Sequence, residues 1–101
     1  MDNILEHVRD PLKVMEEVHR ISANGAAVVV SVPYFRSCYA TIDPTHRNFF
    51  GVWWFCYFDP SHPFHERYGY TRARFGVERL EFDREVKDGR MGVLHRLMVR
   101  L

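Results

Sequence analysis

Leu12, Met15, Val18 and Ile21 recur at helical spacing, with Val14 beside them, while Lys13, Glu16, Glu17 and Arg20 take the wetter side. Asp10 offers a side-chain oxygen to the free amides of a helix start, and Pro11 suits the first helical position, where its missing N–H would be unpaired anyway. Asn24-Gly25 supplies a left-handed exit. The pattern predicts a helix over 11–22. Ala26 to Val32 then reads Ala-Ala-Val-Val-Val-Ser-Val, a short β-branched run, apolar on both faces, as in an interior strand of a parallel sheet. Pro33 ends it, because proline cannot donate to a ladder. A helix feeding straight into such a strand is the second half of a βαβ unit. The first strand of that unit would be finishing just before Ile4.

Residues 34–47 read as loop, with Asp43-Pro44-Thr45-His46 suited to open a helix. Asn48 to Phe58 reads as a helix that is apolar almost all round. Asp59 to Tyr70, with Pro60, Pro63 and Gly69, reads as irregular loop. The last third has the pattern of a hairpin. Leu80, Phe82 and Val86 alternate with Arg79, Glu81, Asp83 and Glu85, and Asp88-Gly89 is a tight-turn signal. Val93, Leu97, Val99 and Leu101 alternate on the return strand, whose other face is made partly apolar by Leu94 and Met98. The return strand is therefore expected inside the sheet and the outgoing one at its edge. Arg67, Arg72, Arg74 and Arg79, set against Glu78, Glu81, Asp83 and Glu85, read as a solvated, salt-bridged rim.

Composition narrows the function classes. Hydrophobic residues make up 47% of the 101, which excludes a disordered tail. The formal charge of +1 argues against a nucleic-acid binder driven by bulk positive charge and against a polybasic membrane anchor. Cys38 and Cys56 are too few for a disulfide framework and lack a zinc-like pairing. No basic start leads into an apolar stretch at the N-terminus, so no secretory signal is expected. The longest apolar run, Phe49 to Phe58, is about half the ~20 residues of a membrane span. The expected setting is soluble, reducing and cytoplasmic. Aromatics reach 15% and crowd the middle third. A chain this short buries only roughly 60–65% of its unfolded surface, so that aromatic surface calls for a ligand, a partner or a further half to cover it.

Against this background the chain resembles a known family. Asp2-Asn3-Ile4-Leu5-Glu6-His7-Val8 with Asp10-Pro11, the helix ending Glu17-Val18-His19-Arg20-Ile21, Asn24-Gly25, and the strand to Val32-Pro33 resemble the second half of a class I S-adenosylmethionine-dependent methyltransferase of the broad type 11 subgroup. The resemblance covers residues 2–33. Asn24 and Ala26 depart from the family's helix exit, while Gly25 keeps the turn. Asp43-Pro44-Thr45-His46 is similar to a D-P-x-H segment that many members carry after that strand. The terminal hairpin matches by architecture alone.

The resemblance implies an α/β fold, the C-terminal half of a Rossmann-like sheet with helices on both faces. This chain would supply its fifth, sixth and seventh strands, the seventh lying between the other two. The cofactor would be S-adenosyl-L-methionine and the partner a small-molecule acceptor. The family's Gly-rich cofactor loop has no counterpart, since the six glycines include no G-x-G pair. The chain is therefore expected to be a C-terminal half that binds the cofactor weakly or not at all by itself. By position, Asp2, Asn3 and Leu5 would lie beside the cofactor, mostly through backbone groups, with Glu6 and His7 capping the next turn on the substrate side. His7 is the candidate general base, weighed against a structural hydrogen bond. Tyr34, Tyr39 and His46 follow the strand and are candidates for substrate contact.

Other constellations have bland alternatives. Phe49, Phe50, Trp53, Trp54, Phe55, Tyr57 and Phe58 can roof a planar substrate, or pack against the other half or another subunit; the second is preferred. His62 and His65, near Asp59 and Cys56, lack a second ligand pair with zinc-like spacing, so no metal ligands are assigned. The competing function class is a non-catalytic α/β module that pairs through an open sheet edge along Ala26–Val32 and an aromatic helix.

Overall fold

The helix expected behind Asp10-Pro11 forms as α1, Pro11–Ile21, in the computed structural model, which describes residues 1–82 and 94–100. The Asp10 side chain accepts a hydrogen bond from the Lys13 amide at 3.1 Å. Gly25 takes a φ of 80°, a region that side chains with a Cβ rarely adopt. Met15 is fully buried, and Leu12, Val14 and Val18 pack against the same core. The apolar stripe read from the sequence is thus the face that seats the helix, except at its last position, where Ile21 is 71% exposed.

Three strands form one sheet: β1, Ala27–Pro33; β2, Gly76–Phe82; and β3, Leu94–Arg100. Their order is β1-β3-β2, and β3 runs antiparallel to both neighbours. The return strand is the interior one and the outgoing strand the edge, as their patterns predict. Val30 and Leu80 both stand opposite Leu97. On β2, Val77 pairs with Val99 but Arg79 with Met98, so Glu78 is an extra residue in a bulge. A bulge reverses the in–out alternation. That is why Val77 and Leu80, at odd spacing, both pack on the core. Beside it, Arg79 and Glu81 pair at 3.2 Å on the exposed rim. The expected turn at Asp88-Gly89, with Asp83, Glu85, Val86, Val93 and Leu101, lies outside the described residues.

On β1, Val30 and Val32 are fully buried with Val28 beside them, whereas Val29 on the other face is 39% exposed. The run is therefore covered on both faces only in its second half, where Val30, Ser31, Val32 and Pro33 are all buried. One earlier segment lies along its outer edge. Asp2 and Ser31 form a parallel bridge, in which the Asn3 amide donates to the Ser31 carbonyl at 2.9 Å and the Ser31 amide to the Met1 carbonyl at 2.8 Å.

The middle of the chain corrects three expectations. The 34–47 stretch contains a single helical turn, α2, Cys38–Thr41, capped by the Ser37 side chain, while Asp43-Pro44-Thr45-His46 opens no helix. Asn48–Phe58 is not one helix. Only Trp54–Phe58 coils, as a 3₁₀ segment, and Phe50 instead bridges Tyr34 in parallel, its carbonyl accepting from the Phe35 amide at 2.9 Å. A segment apolar all round can be buried without a regular helix, and Phe50, Phe55 and Phe58 are at most 1% exposed. These rings fill the chain's own core, so they neither roof a substrate nor await a partner, although Phe49 and Trp53 are more than half exposed. Asp59–Tyr70 is not all loop either. It holds α3, Pro63–Tyr68, with Pro63 in the first turn and Gly69 left-handed at its end. Pro63 and Gly69 punctuate that helix from outside.

The result is a small mixed α/β fold whose core joins Leu5, Met15, Val30, Val32 and Phe75 to the buried phenylalanines. Among the described residues no helix is long and apolar enough to cross a membrane.

Candidate functional site

Asn48 is the clamp that shapes the candidate site. Its side-chain amide donates to the Leu5 carbonyl at 2.9 Å and to the Val8 carbonyl at 2.6 Å. The Arg47 and Asn48 backbone amides both donate to the Glu6 carbonyl, at 2.7 and 3.1 Å. The turn over residues 5–8 is thereby fastened to the loop that follows α2. Between them opens a cavity of about 340 Å³, bordered by Asn3, Glu6, His7, Pro33, Tyr39 and His46 among others.

Five of the residues singled out in the sequence meet there: Asn3, Glu6, His7, Tyr39 and His46. Asn3 has a φ of 54°, tolerated by asparagine better than by most residues. Three others do not join them. Asp2 is exposed and takes part in the bridge to Ser31. Leu5 sits in the core with no exposure, its carbonyl held by Asn48. Tyr34 stacks edge-on against Phe35 at 4.8 Å, outside the cavity lining. Wider clefts of about 520 and 670 Å³ run beside Gly69–Thr71 and contain none of these residues.

The hydrogen bonds fix the protons on both histidines. The Thr45 hydroxyl donates its one proton to Asp43 Oδ1 at 2.7 Å, so toward His7 Nδ1, 3.0 Å away, it can only accept. His7 therefore carries a proton on Nδ1. His46 Nδ1 lies 2.9 Å from the Ala40 carbonyl oxygen, which also can only accept. In their neutral forms both rings thus keep Nε2 as a lone pair. The rings meet edge-on with centroids 4.7 Å apart. The Thr45 hydroxyl and amide together hold the Asp43 carboxyl below its ordinary range, against an opposing effect of burial, with His46 and His7 adding to the lowering.

Glu6 is the outlier. It is 1% exposed, and neither carboxylate oxygen has a hydrogen-bond partner among the described residues. A buried polar group left unpaired costs roughly 1–3 kcal/mol, and a charged one more. Among the described residues, His7 Nε2, 3.8 Å from Glu6 Oε1, is the group that pairs with it as a cation when protonated.

The histidines at 62 and 65 have structural duties instead. His62 Nδ1 accepts from the Phe64 amide at the start of α3, and His65 Nδ1 donates to the Tyr57 carbonyl at 2.8 Å. Burial and the Asp59 carboxylate push the nearby Cys56 thiol up, away from the thiolate that a metal requires.

Sequence reasoning missed Asn48 and Thr45. No spacing rule marks either, because their partners at 5–8 are remote in the chain. No family model matches the chain, and no curated protein or solved structure is significantly similar to it.

Proposed function

We propose that this chain is the substrate-side, C-terminal half of a class I S-adenosylmethionine-dependent methyltransferase, and that the complete enzyme transfers a methyl group to a small-molecule acceptor. The observation that carries the reading is the position of the cavity. Residues 1–3 and β1 run parallel through the Asp2–Ser31 bridge, and the cavity is bordered by Asn3 and Pro33, where those two segments end. Open α/β sheets bind ligands outside the carboxyl ends of their parallel strands. The order β1-β3-β2, with β3 antiparallel to both neighbours, also agrees with the arrangement that the resemblance implies for the last three strands.

The cavity fits part of the task. At about 340 Å³ it is at the low end of small-ligand sites. It has room for a small acceptor or for one end of the cofactor, and the other walls would come from the N-terminal half. In this reading Asn3 sits on the methionine side, while Tyr39, Glu6 and His46 border the acceptor. S-adenosylmethionine supplies a methyl group already activated on a sulfonium. What remains for these residues is orientation and exclusion of water. The unprotonated Nε2 of His7 is suited to take a proton from a hydroxyl or amine acceptor.

The test starts from the gene. The reading frame upstream of Met1 is expected to encode a strand, a Gly-rich turn and a helix, and the extended protein to move radiolabelled methyl from S-adenosylmethionine to a small-molecule fraction. An upstream frame without that unit, or an extended protein that folds and transfers nothing, contradicts the reading.

A further inference from the structure

We propose that Glu6, His7 and His46 form a binding site for a divalent first-row transition-metal ion. One ligand atom from each lies within 4.8 Å of the others, and His7 Nε2 stands 3.8 Å from Glu6 Oε1. Nitrogen and oxygen ligands about 2.0–2.2 Å from one ion lie roughly 3–3.5 Å apart, so closing on it needs shifts of about an ångström.

Two independent features point to a cation. The first is the Glu6 carboxylate, which is almost fully buried and has no hydrogen-bond partner for either oxygen among the described residues. A bound ion supplies the missing partner. The second is the outer layer. His46 is fixed through Nδ1 by the Ala40 carbonyl, and His7 through Nδ1 by Thr45, which Asp43 holds in turn. Metal-binding histidines are ordinarily oriented in this way, with the other ring nitrogen left to the metal. Here both free nitrogens are Nε2: that of His7 lies 3.8 Å from Glu6 Oε1, that of His46 lies 3.9 Å from Asp43 Oδ2, and each ring offers one nitrogen to the cluster with Glu6.

Two imidazoles and one carboxylate suit Zn²⁺, Fe²⁺, Co²⁺ or Mn²⁺ better than Ca²⁺ or Mg²⁺, which favour oxygen shells. Three protein ligands leave coordination positions for water or an oxygen-donor ligand from the cavity that these residues border. The site does not rest on the methyltransferase reading. In the ion-loaded chain His7 is a ligand, and only in the ion-free chain is it available as a base.

The full chain titrated with Co²⁺ is expected to bind one equivalent, with visible d–d bands that Zn²⁺ abolishes and Mg²⁺ does not. Glu6→Gln preserves size, and His46→Asn keeps a donor for the Ala40 carbonyl. Each should weaken Co²⁺ binding by about 100-fold or more, beyond the usual effect of losing an outer-layer partner. His62→Ala should leave it unchanged. Should the variants fail to fold by circular dichroism, the unaltered chain still decides: Co²⁺ should broaden the imidazole resonances of His7 and His46 and spare those of His62 and His65. No saturable binding below about 1 mM, broadening centred on His62 and His65, or full affinity in a folded Glu6→Gln chain would overturn the proposal.

Discussion

His7 and His46 meet edge to face, ring centroids 4.7 Å apart, beside a Glu6 carboxylate with no hydrogen-bond partner among the described residues. Neither helix nor strand carries them. One belongs to the turn after the Asp2–Ser31 bridge and the other to the loop after α2, and the two loops are joined by Asn48 and the amides beside it.

Asn48 is therefore the residue whose loss should separate them. Asn48→Ala leaves the Leu5 and Val8 carbonyls without their donor, at about 1–3 kcal/mol for each buried group left unpaired. Urea unfolding is expected to show a loss of about 2 kcal/mol. The His7–His46 ring contact should weaken in nuclear Overhauser spectra under native conditions. An unchanged ring contact would mean that the backbone bonds to Glu6 suffice.

The middle aromatics should split by burial. Phe50→Ala removes a fully buried ring that stacks with Phe55 and meets Trp54 edge-on. Deletions of this kind cost about 3–5 kcal/mol, a large part of a small domain's stability. Trp53 is 61% exposed, and Trp53→Ala is expected to cost less than about 1 kcal/mol. Denaturant midpoints distinguish the two. Equal losses would contradict the assignment of Phe50 to the core.

Asp59 should give the fold an acid-sensitive tie. Burial works against its ionisation, but bonds from the Ser61 hydroxyl, the Val77 amide and the Ser61 amide, with His62 nearby, outweigh it and hold the carboxyl below its ordinary range. A carboxyl with a lower folded pKa stabilises fully above its unfolded value of about 3.9 and loses that contribution as pH falls through the folded value. Stability measured by urea unfolding should therefore drop below about pH 4, and Asp59→Asn should flatten that part of the curve. An identical acid limb in the variant would assign the loss to other groups.

These elements also show what the sequence made legible. The α1 stripe, the left-handed Gly25 and the interior position of β3 were readable because each follows from local period or from two apolar faces. Pro63 and Gly69 were misread because both residues break and bound helices, and only the capping bond from His62 decides between the two. Phe49 to Phe58 carried no usable period, since burial on all sides satisfies it in any conformation. Glu6, His7 and His46 were each legible as candidates, but their convergence was not. It depends on Asn48 and Thr45, whose hydrogen bonds span the chain. Leu5, a candidate through its backbone groups, has its side chain in the core.

The outer edge of β1 bears on association. Residues 1–3 occupy that edge from Val29 to Ser31, the Met1 ammonium donating to the Val29 carbonyl at 2.7 Å, but the Val29 side chain and Ala27 are exposed, and no further strand pairs with the edge among the described residues. Such an edge is a template for another strand. Size-exclusion chromatography at rising concentration should show self-association, and Val29→Lys should suppress it. A monodisperse monomer at high concentration would contradict this expectation.

The most direct measurement of the central claim is calorimetric titration of S-adenosylmethionine into two proteins, this chain and the chain extended by its upstream reading frame. The account predicts weak or no binding to the first and one-to-one binding to the second. A folded extended protein that shows no heat of binding would contradict it.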